Sequence, residues 1–157
     1  MATVSPVNPW TYTLALPGDP RSASIARLVV CGILDRHGFG ELIDNAALLT
    51  SELVTNACRY SDSDVTLRVN ELLDTGVRIS VWDANPVVPE PFGFGANRFT
   101  PARQPDATYG RGLAIVKECA DNWGSQSLGR SCLAPSFRGK WLWCELVRKM
   151  AVPVSVH

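Results

Sequence analysis

The chain has 157 residues, and its 15 basic and 15 acidic side chains cancel at pH 7. The hydrophobic fraction is 46% and the charged fraction 19%, which excludes a disordered chain and favours one domain with a sizeable core. The balanced charge argues against binding to nucleic acid through bulk charge, and no uncharged apolar run reaches membrane-spanning length. We therefore expect one domain over residues 10–150, a loose tail over residues 1–9, and neither direct nucleic-acid nor membrane binding.

The cysteines indicate a reducing compartment. The chain has five of them, which is an odd number, and they are scattered without a Cys-x-x-Cys pair. The N-terminus also lacks the basic and apolar pattern of a signal peptide. These observations predict a cytoplasmic protein whose thiols are reduced and mostly buried. The cysteines are Cys31, Cys58, Cys119, Cys132 and Cys144.

The first third of the chain predicts one strand and two helices. Residues 10–16 alternate like a strand, and a Pro-Gly-Asp-Pro turn follows. Ser22 or Ser24 is predicted to cap a helix that runs to about Arg36. A glycine-rich break at 37–40 then separates this helix from a second helix, which runs from about Glu41 to Tyr60.

The second helix carries an unusual polar flank. If it is helical, one apolar stripe consists of Leu42, Ala46, Leu49, Leu53 and Ala57. At 100° per residue, the stripe beside it consists of Asn45, Glu52, Asn56 and Arg59. An ordinary surface helix places such groups opposite the core, whereas these lie at its border, where a ligand beside the core would meet them. The plainer alternative is a solvated flank with an i,i+4 hydrogen bond.

The chemistry of this flank suits a phosphate ligand with a metal ion. A carboxylate such as Glu52 orients or deprotonates a nucleophile. The amide oxygen of Asn56 suits a hard cation, and the guanidinium of Arg59 suits a phosphate.

The remaining elements predict a sheet with a long loop and a third helix. Residues 65–70 and 76–83 predict a hairpin that ends at Asp83, and residues 123–128 and 139–147 predict two closing strands. Between them, residues 84–108 hold five prolines and two glycines, and a loop this long is usually functional or disordered. The expected fold is α+β: a two-layer α/β sandwich with about three helices on one face of a mixed, mainly antiparallel sheet.

A Gly-x-Gly sequence precedes the third predicted helix. Such a start exposes backbone N–H groups at the positive end of the helix dipole, which suits phosphate. Taken alone, these glycines are equally consistent with a tight turn. The residues are Gly110, Arg111, Gly112 and Leu113, and the helix is expected to reach about Asn122.

Three of these segments, in this order, resemble the nucleotide-binding boxes of the family that unites DNA gyrase, Hsp90, sensor histidine kinases and MutL. Residues 52–56 resemble its N box (Glu-x-x-x-Asn), residues 83–85 its G1 box (Asp-x-Gly) and residues 110–113 its G2 box (Gly-x-Gly-Leu). The sequence Glu-Leu-Val-Thr-Asn-Ala at residues 52–57 and the motif Gly-Lys-x-x-Trp at residues 139–143 look most like the branch of anti-sigma-factor serine/threonine kinases. The resemblance covers about residues 10–148 and implies a histidine-kinase-like ATPase domain.

The resemblance also implies cofactors and residue roles. ATP and Mg²⁺ would be bound, with Asn56 as the magnesium ligand and Asp83 accepting a hydrogen bond from the adenine amino group. Glu52 would be the catalytic group that takes a proton from the attacking hydroxyl, and Arg59 would contact a phosphate. Residues 84–108 would form the ATP lid. The phosphate loop and helix start would be Gly110, Arg111, Gly112 and Leu113.

Two positions depart from the pattern of the family. The glycine expected two residues after Asp83 is Asn85, followed by Pro86, which has no backbone donor. Asn85 would have to form the same turn, which asparagine does because it tolerates a left-handed conformation. In addition, Trp141 stands where related proteins often have a small threonine, so it would crowd the pocket, stack on the base or point elsewhere.

Two functional classes follow. The first is a serine/threonine kinase that holds a sigma factor and phosphorylates a small antagonist, the anti-anti-sigma protein. The alternative is a catalytically inactive binding module that a nucleotide switches between partner-binding states. Whether the protein forms a homodimer is left open.

Overall fold

A computed structural model describes residues 9–60, 63–73, 75–93, 111–127 and 138–149. Within these ranges lie five strands, three α-helices and a short 3₁₀ turn, Gly40–Leu42. In chain order the strands and α-helices are β1 Thr11–Leu16, α1 Ser22–Arg36, α2 Ile43–Tyr60, β2 Val65–Glu71, β3 Gly76–Asp83, α3 Arg111–Cys119, β4 Asn122–Ser127 and β5 Lys140–Val147.

The five strands form one sheet in the order β1-β2-β3-β5-β4. Helix α2 packs directly on β2, β3 and β5, and α1 and α3 pack against α2. The predicted two-layer α+β architecture is therefore confirmed. The sheet is simpler than expected, because every pairing between the described strands is antiparallel.

Alternation along the strands separates a buried face from an outer face. The inward residues of the central strands are all buried: Val65, Leu67, Val69, Val77, Ile79, Val81, Leu142, Cys144 and Leu146. On the outer face the guanidinium of Arg68 lies 4.5 Å from the ring centroid of Trp141, and that of Arg78 lies 4.3 Å from the ring centroid of Trp143. Trp141 therefore points away from the helices, because it is one residue out of phase with the inward-facing Leu142.

The apolar stripe predicted on α2 is confirmed as a core surface. Its five members are all buried: Leu42, Ala46, Leu49, Leu53 and Ala57. Helix α1 supplies a facing stripe with four-residue spacing, namely Ala26, Val30 and Leu34, also buried. Truncating any of the buried leucines to alanine is expected to cost about 2–5 kcal/mol.

The predicted serine cap of α1 is wrong. The N-cap residue is Arg21, and no side-chain cap is made there. Ser22 is instead the first helical residue, and its Oγ donates to the carbonyl of Pro17 at 2.7 Å. Just before the helix, the Asp19 carboxylate accepts the backbone N–H of Arg21 at 2.8 Å and so holds the turn that leads into α1.

Helix α3 is shorter than the sequence predicts. It ends at Cys119 rather than near Asn122, which is the first residue of β4. The reason lies at Asp121, whose N–H donates to the carbonyl of Glu145 on β5 at 2.9 Å. The Asp121 carboxylate also accepts the N–H of Val147 at 2.8 Å, so the chain is already hydrogen-bonded to the sheet at this point.

Among the described residues, no helix has both the length and the apolar character needed to cross a membrane.

The described thiols are free, but they are less buried than expected. Cys144 is fully buried, whereas Cys31, Cys58 and Cys119 are partly exposed. Cys132 lies outside the described residues. Cys144 belongs to the core because it occupies an inward position on the central strand β5.

Cys144 predicts a loss of stability at alkaline pH. Burial raises the pKa of its thiol from 9.0 to about 12. Below pH 9 the thiol is neutral in the folded and unfolded chains alike; above it only the unfolded chain ionises. The free energy of unfolding should then fall by about 1.4 kcal/mol per pH unit until about pH 12.

Denaturant unfolding of wild type and Cys144→Ala at pH 8 and at pH 11 measures this term. The variant loses packing at both pH values, so only the difference in pH dependence matters. Wild type should lose about 2–3 kcal/mol more than the variant between the two conditions. Equal losses would show that this thiol ionises in the folded protein.

Candidate functional site

Two of the four residues in the predicted polar flank of α2, Glu52 and Asn56, lie at the border of the core, whereas Asn45 and Arg59 are exposed. Glu52 and Asn56 are partly buried and stand one helical turn apart, next to the buried Leu53 and Ala57. Within the described ranges, neither side chain has a hydrogen bond or ion pair. An amide and a carboxylate at the edge of the core are therefore available to a ligand.

Arg59 lies farther from the core than its neighbours on this flank. Its side chain is exposed, and the described residues provide no carboxylate partner for it. The angular spacing explains this, since Arg59 is rotated past Asn56 and Glu52 toward solvent. Its proposed contact with a phosphate stays a prediction.

Asp83 closes β3 on the side of the sheet that faces the helices. It shares strand parity with Ile79 and Val81, and its side chain is 1% exposed. Oδ1 accepts the N–H of Asn85 at 2.8 Å, so the carboxylate holds the turn that leaves the strand. Asn85 continues the turn, because its Oδ1 accepts the N–H of Val87 at 3.0 Å.

This turn also explains how asparagine replaces the expected glycine. Among the described residues, Leu73 is the non-glycine residue with a positive φ, so Asn85 does not need the left-handed conformation anticipated for it. The side-chain hydrogen bonds of Asp83 and Asn85 stabilise the turn instead. Pro86 has no backbone N–H, but these hydrogen bonds use the N–H groups of Asn85 and Val87, so the turn accommodates proline.

Lys140 is a site residue that the sequence reasoning missed. It is the register partner of Asp83 across β3 and β5, and its side chain is 2% exposed. Its Nζ donates to Asp83 Oδ1 at 2.9 Å and to the carbonyl of Asn85 at 2.7 Å. The signal was present in the strand period, which places Lys140 and Leu142 inward and Trp141 outward.

Gly139 allows this arrangement because it lies directly against β3. A Cβ at this position would come within 2.5 Å of the Asp83 carbonyl oxygen and 2.6 Å of the Trp82 indole. Gly139→Ala should therefore cost about 1–3 kcal/mol and displace the strand end that carries Asp83.

A matched glycine elsewhere in the chain serves as the control for Gly139→Ala. Gly32 lies inside α1, and a Cβ there meets nothing within 4 Å. Gly32→Ala should stabilise the protein by about 0.5–1 kcal/mol, because alanine is the better helix former. Thermal unfolding of both variants checks the pair, and a Gly139→Ala variant as stable as wild type would contradict the close packing.

The third segment is only partly described. Gly110 lies outside the described residues, and at Arg111 and Gly112 only the helical backbone is described, with α3 beginning at Arg111. Leu113 is buried, so it anchors the first turn of α3 in the core. Its predicted place at the helix start is seen, whereas phosphate binding there stays a prediction.

The predicted lid is likewise only partly described, since residues 94–108 lie outside the described ranges. The end of its described part is fixed to the core and the sheet at Phe92. Phe92 is a buried core residue, and its carbonyl accepts the hydroxyl of Ser125 on β4 at 3.0 Å.

The polar groups of α2 and the end of β3 belong to neighbouring elements. Helix α2 packs on β3, and Asp83 is the last residue of β3. In the last turns of α2, burial raises the pKa of the Cys58 thiol.

Comparison with known families agrees with this geometry. The family model described as "Histidine kinase-, DNA gyrase B-, and HSP90-like ATPase" matches residues 36–146, which is most of the chain. The chain belongs to this ATPase family. The matched range contains α2, the Asp83 strand and all the predicted site residues, together with Lys140. No curated protein matches the chain significantly.

The described residues fit the ATP and Mg²⁺ expected of this ATPase family. Asn56 provides an unpartnered amide oxygen of the kind that magnesium accepts. Both contacts of Asp83 fall on Oδ1, so among the described residues Oδ2 is left to accept a hydrogen bond. The membership of the anti-sigma-factor branch, by contrast, is not decided by the family match.

Proposed function

We propose that this protein binds Mg·ATP and transfers the γ-phosphoryl group to a serine or threonine of a small regulatory partner. The observation that carries the proposal is the pair Glu52 and Asn56, partly buried and unpartnered among the described residues of an ATP-binding family member. They lie at the core border, partly exposed and without a protein partner among the described residues, so both are accessible to a ligand.

Each residue has a distinct task in the proposed reaction. Asn56 would hold a magnesium ion through its amide oxygen. Asp83 receives the adenine amino group, and the N-terminus of α3 faces the phosphates. Glu52, one turn before Asn56, would take the proton from the attacking hydroxyl, and a bound magnesium ion would supply charge neutralisation.

The proposed partners are a sigma factor, which the protein holds, and an anti-anti-sigma protein, which it phosphorylates. This part rests on the likeness of residues 52–57 and 139–143 to the anti-sigma-factor kinases. The exposed Arg59 lies beside the catalytic flank, where it would meet either a phosphate or the partner. Two copies of the chain acting together would also be consistent with the proposal.

Removal of the magnesium ligand tests the site. Asn56→Ala should weaken Mg·ATP binding on the order of tenfold and affect metal-free ATP less, because only the metal-bound form uses the amide oxygen. Isothermal titration calorimetry with and without Mg²⁺ gives both affinities. Asn45→Ala is the matched control, since Asn45 lies on the same helix but is exposed. Equal losses with and without the metal would count against the ligand role.

The alternative is a nucleotide-switched binding module without chemistry, which would use the same nucleotide site. A phosphotransfer assay separates the two functions, with purified protein, Mg·ATP and the anti-anti-sigma-like proteins of the same genome. Phosphoserine or phosphothreonine on one of them, detected by mass spectrometry, supports the kinase. Nucleotide binding without any transfer leaves the binding module.

A further inference from the structure

We propose that Lys140 is a second base-reading residue, which donates a hydrogen bond to ring nitrogen N1 of adenine while Asp83 accepts one from the 6-amino group. This rests on the proposed function, in which ATP binds at Asp83, and it names the residue that completes recognition of the base. Neither the family match nor the sequence patterns assign any role to Lys140.

The proposal begins with a count of donors and acceptors. A lysine ammonium has three N–H donors, and Lys140 uses two of them, on Asp83 Oδ1 and on the Asn85 carbonyl. Within the described part of the chain the third donor has no acceptor. Asp83 likewise receives both of its contacts on Oδ1, which leaves Oδ2.

The two unused groups are side by side because the strands fix them. Lys140 and Asp83 are register partners on β5 and β3, and their charged groups are joined at 2.9 Å. Among the described residues, a carboxylate oxygen without a partner therefore lies next to an N–H without a partner. The Watson–Crick edge of adenine presents the complementary pair, an amino donor next to the N1 acceptor. Guanine presents a carbonyl and an N1–H there, so its donor and acceptor are in the opposite order.

The surroundings of Lys140 hold its side chain in one position. The Lys140 side chain is 2% exposed, and Gly139 packs its backbone against the Asp83 carbonyl and the Trp82 ring. Hydrogen bonds in such a buried place discriminate more strongly than in water, because an unpaired group there cannot turn to solvent. A base reaches the pair only when the side chains that cover it withdraw.

The test compares ATP with 1-deaza-ATP, in which the N1 acceptor is replaced by C–H, by calorimetry on the full chain. Wild type should bind 1-deaza-ATP on the order of tenfold more weakly than ATP, as expected for a lost hydrogen bond to a charged donor. The control analogue 7-deaza-ATP keeps N1 and the amino group and should bind like ATP.

Variants of Lys140 then assign the effect. In Lys140→Met, which keeps the stem but lacks the ammonium, ATP and 1-deaza-ATP should bind alike. If that variant does not fold, Lys140→Gln keeps a neutral donor and should retain part of the discrimination. Because each ratio is taken within one protein, a general loss of stability does not alter it.

The outcomes separate this proposal from the proposed function. Binding of ATP and 1-deaza-ATP with equal affinity by wild type would overturn the role of Lys140 and leave ATP binding intact. Discrimination that persists unchanged in folded Lys140→Met would also overturn it, because another group would then contact N1. Failure of wild type to bind any of the three nucleotides would refute the proposed function and this inference together.

Discussion

Lys140→Met is expected to destabilise the protein by about 3–5 kcal/mol, which is a large part of the stability of a small domain. The reason is the carboxylate left behind: Asp83 is 1% exposed and loses its cationic partner when the ammonium is removed. A buried charge without a counter-ion retains its full desolvation cost. Urea unfolding followed by tryptophan fluorescence measures the loss.

The double variant Lys140→Met with Asp83→Leu is the control for this prediction. Replacing both charges with apolar groups removes the unpaired carboxylate, so the double variant should recover much of the loss. It should stay about 1–2 kcal/mol below wild type, because the N–H of Asn85 loses its acceptor on Asp83. Asp83→Asn alone should also destabilise the chain, because the buried ammonium of Lys140 then has no negatively charged partner. A loss below about 1 kcal/mol for Lys140→Met would mean that the pair is effectively solvated.

Glu52→Gln is expected to slow phosphoryl transfer by about 10²–10⁴-fold while leaving Mg·ATP binding within about twofold of wild type. Glutamine keeps the shape and the hydrogen-bonding reach of the side chain but cannot take a proton. Single-turnover transfer of phosphate to the partner protein measures the rate, and calorimetry measures the affinity for Mg·ATP. Because the Glu52 side chain has no partner among the described residues, the substitution should not disturb packing.

Glu118→Gln is the matched control, since Glu118 is an exposed glutamate on another helix, α3. It should transfer phosphate at the wild-type rate. A wild-type rate in Glu52→Gln would remove the catalytic assignment. Loss of nucleotide binding in Glu52→Gln would instead assign Glu52 to binding or folding.

Periodicity accounts for the parts of the fold that the sequence predicted well. The stripe from Leu42 to Ala57 needs only a 3.6-residue repeat, and the residues on it are buried as expected. The same repeat placed Glu52 and Asn56 at the edge of the core. Asp83 followed from the end of an alternating run, although its buried partner did not.

The missed features depend on contacts between distant segments. Lys140 meets Asp83 through the register of β3 with β5, and the two residues are separated by 57 positions in the chain. The outward direction of Trp141 follows from the same register, so the crowding considered for the base pocket does not arise from this side chain. The end of α3 is likewise set by a distant contact and not by a local stop signal, because Asp121 is hydrogen-bonded to β5.

The most direct test of nucleotide binding is a calorimetric titration of the purified wild-type protein with ATP, repeated without Mg²⁺ and with GTP. We expect saturable binding of ATP at a single site, tighter with Mg²⁺ because Asn56 contributes a metal ligand. GTP should bind at least about tenfold more weakly, because its carbonyl opposes the Asp83 carboxylate. Absence of saturable binding by folded protein, or equal affinity for ATP and GTP, would contradict the assignment of this site.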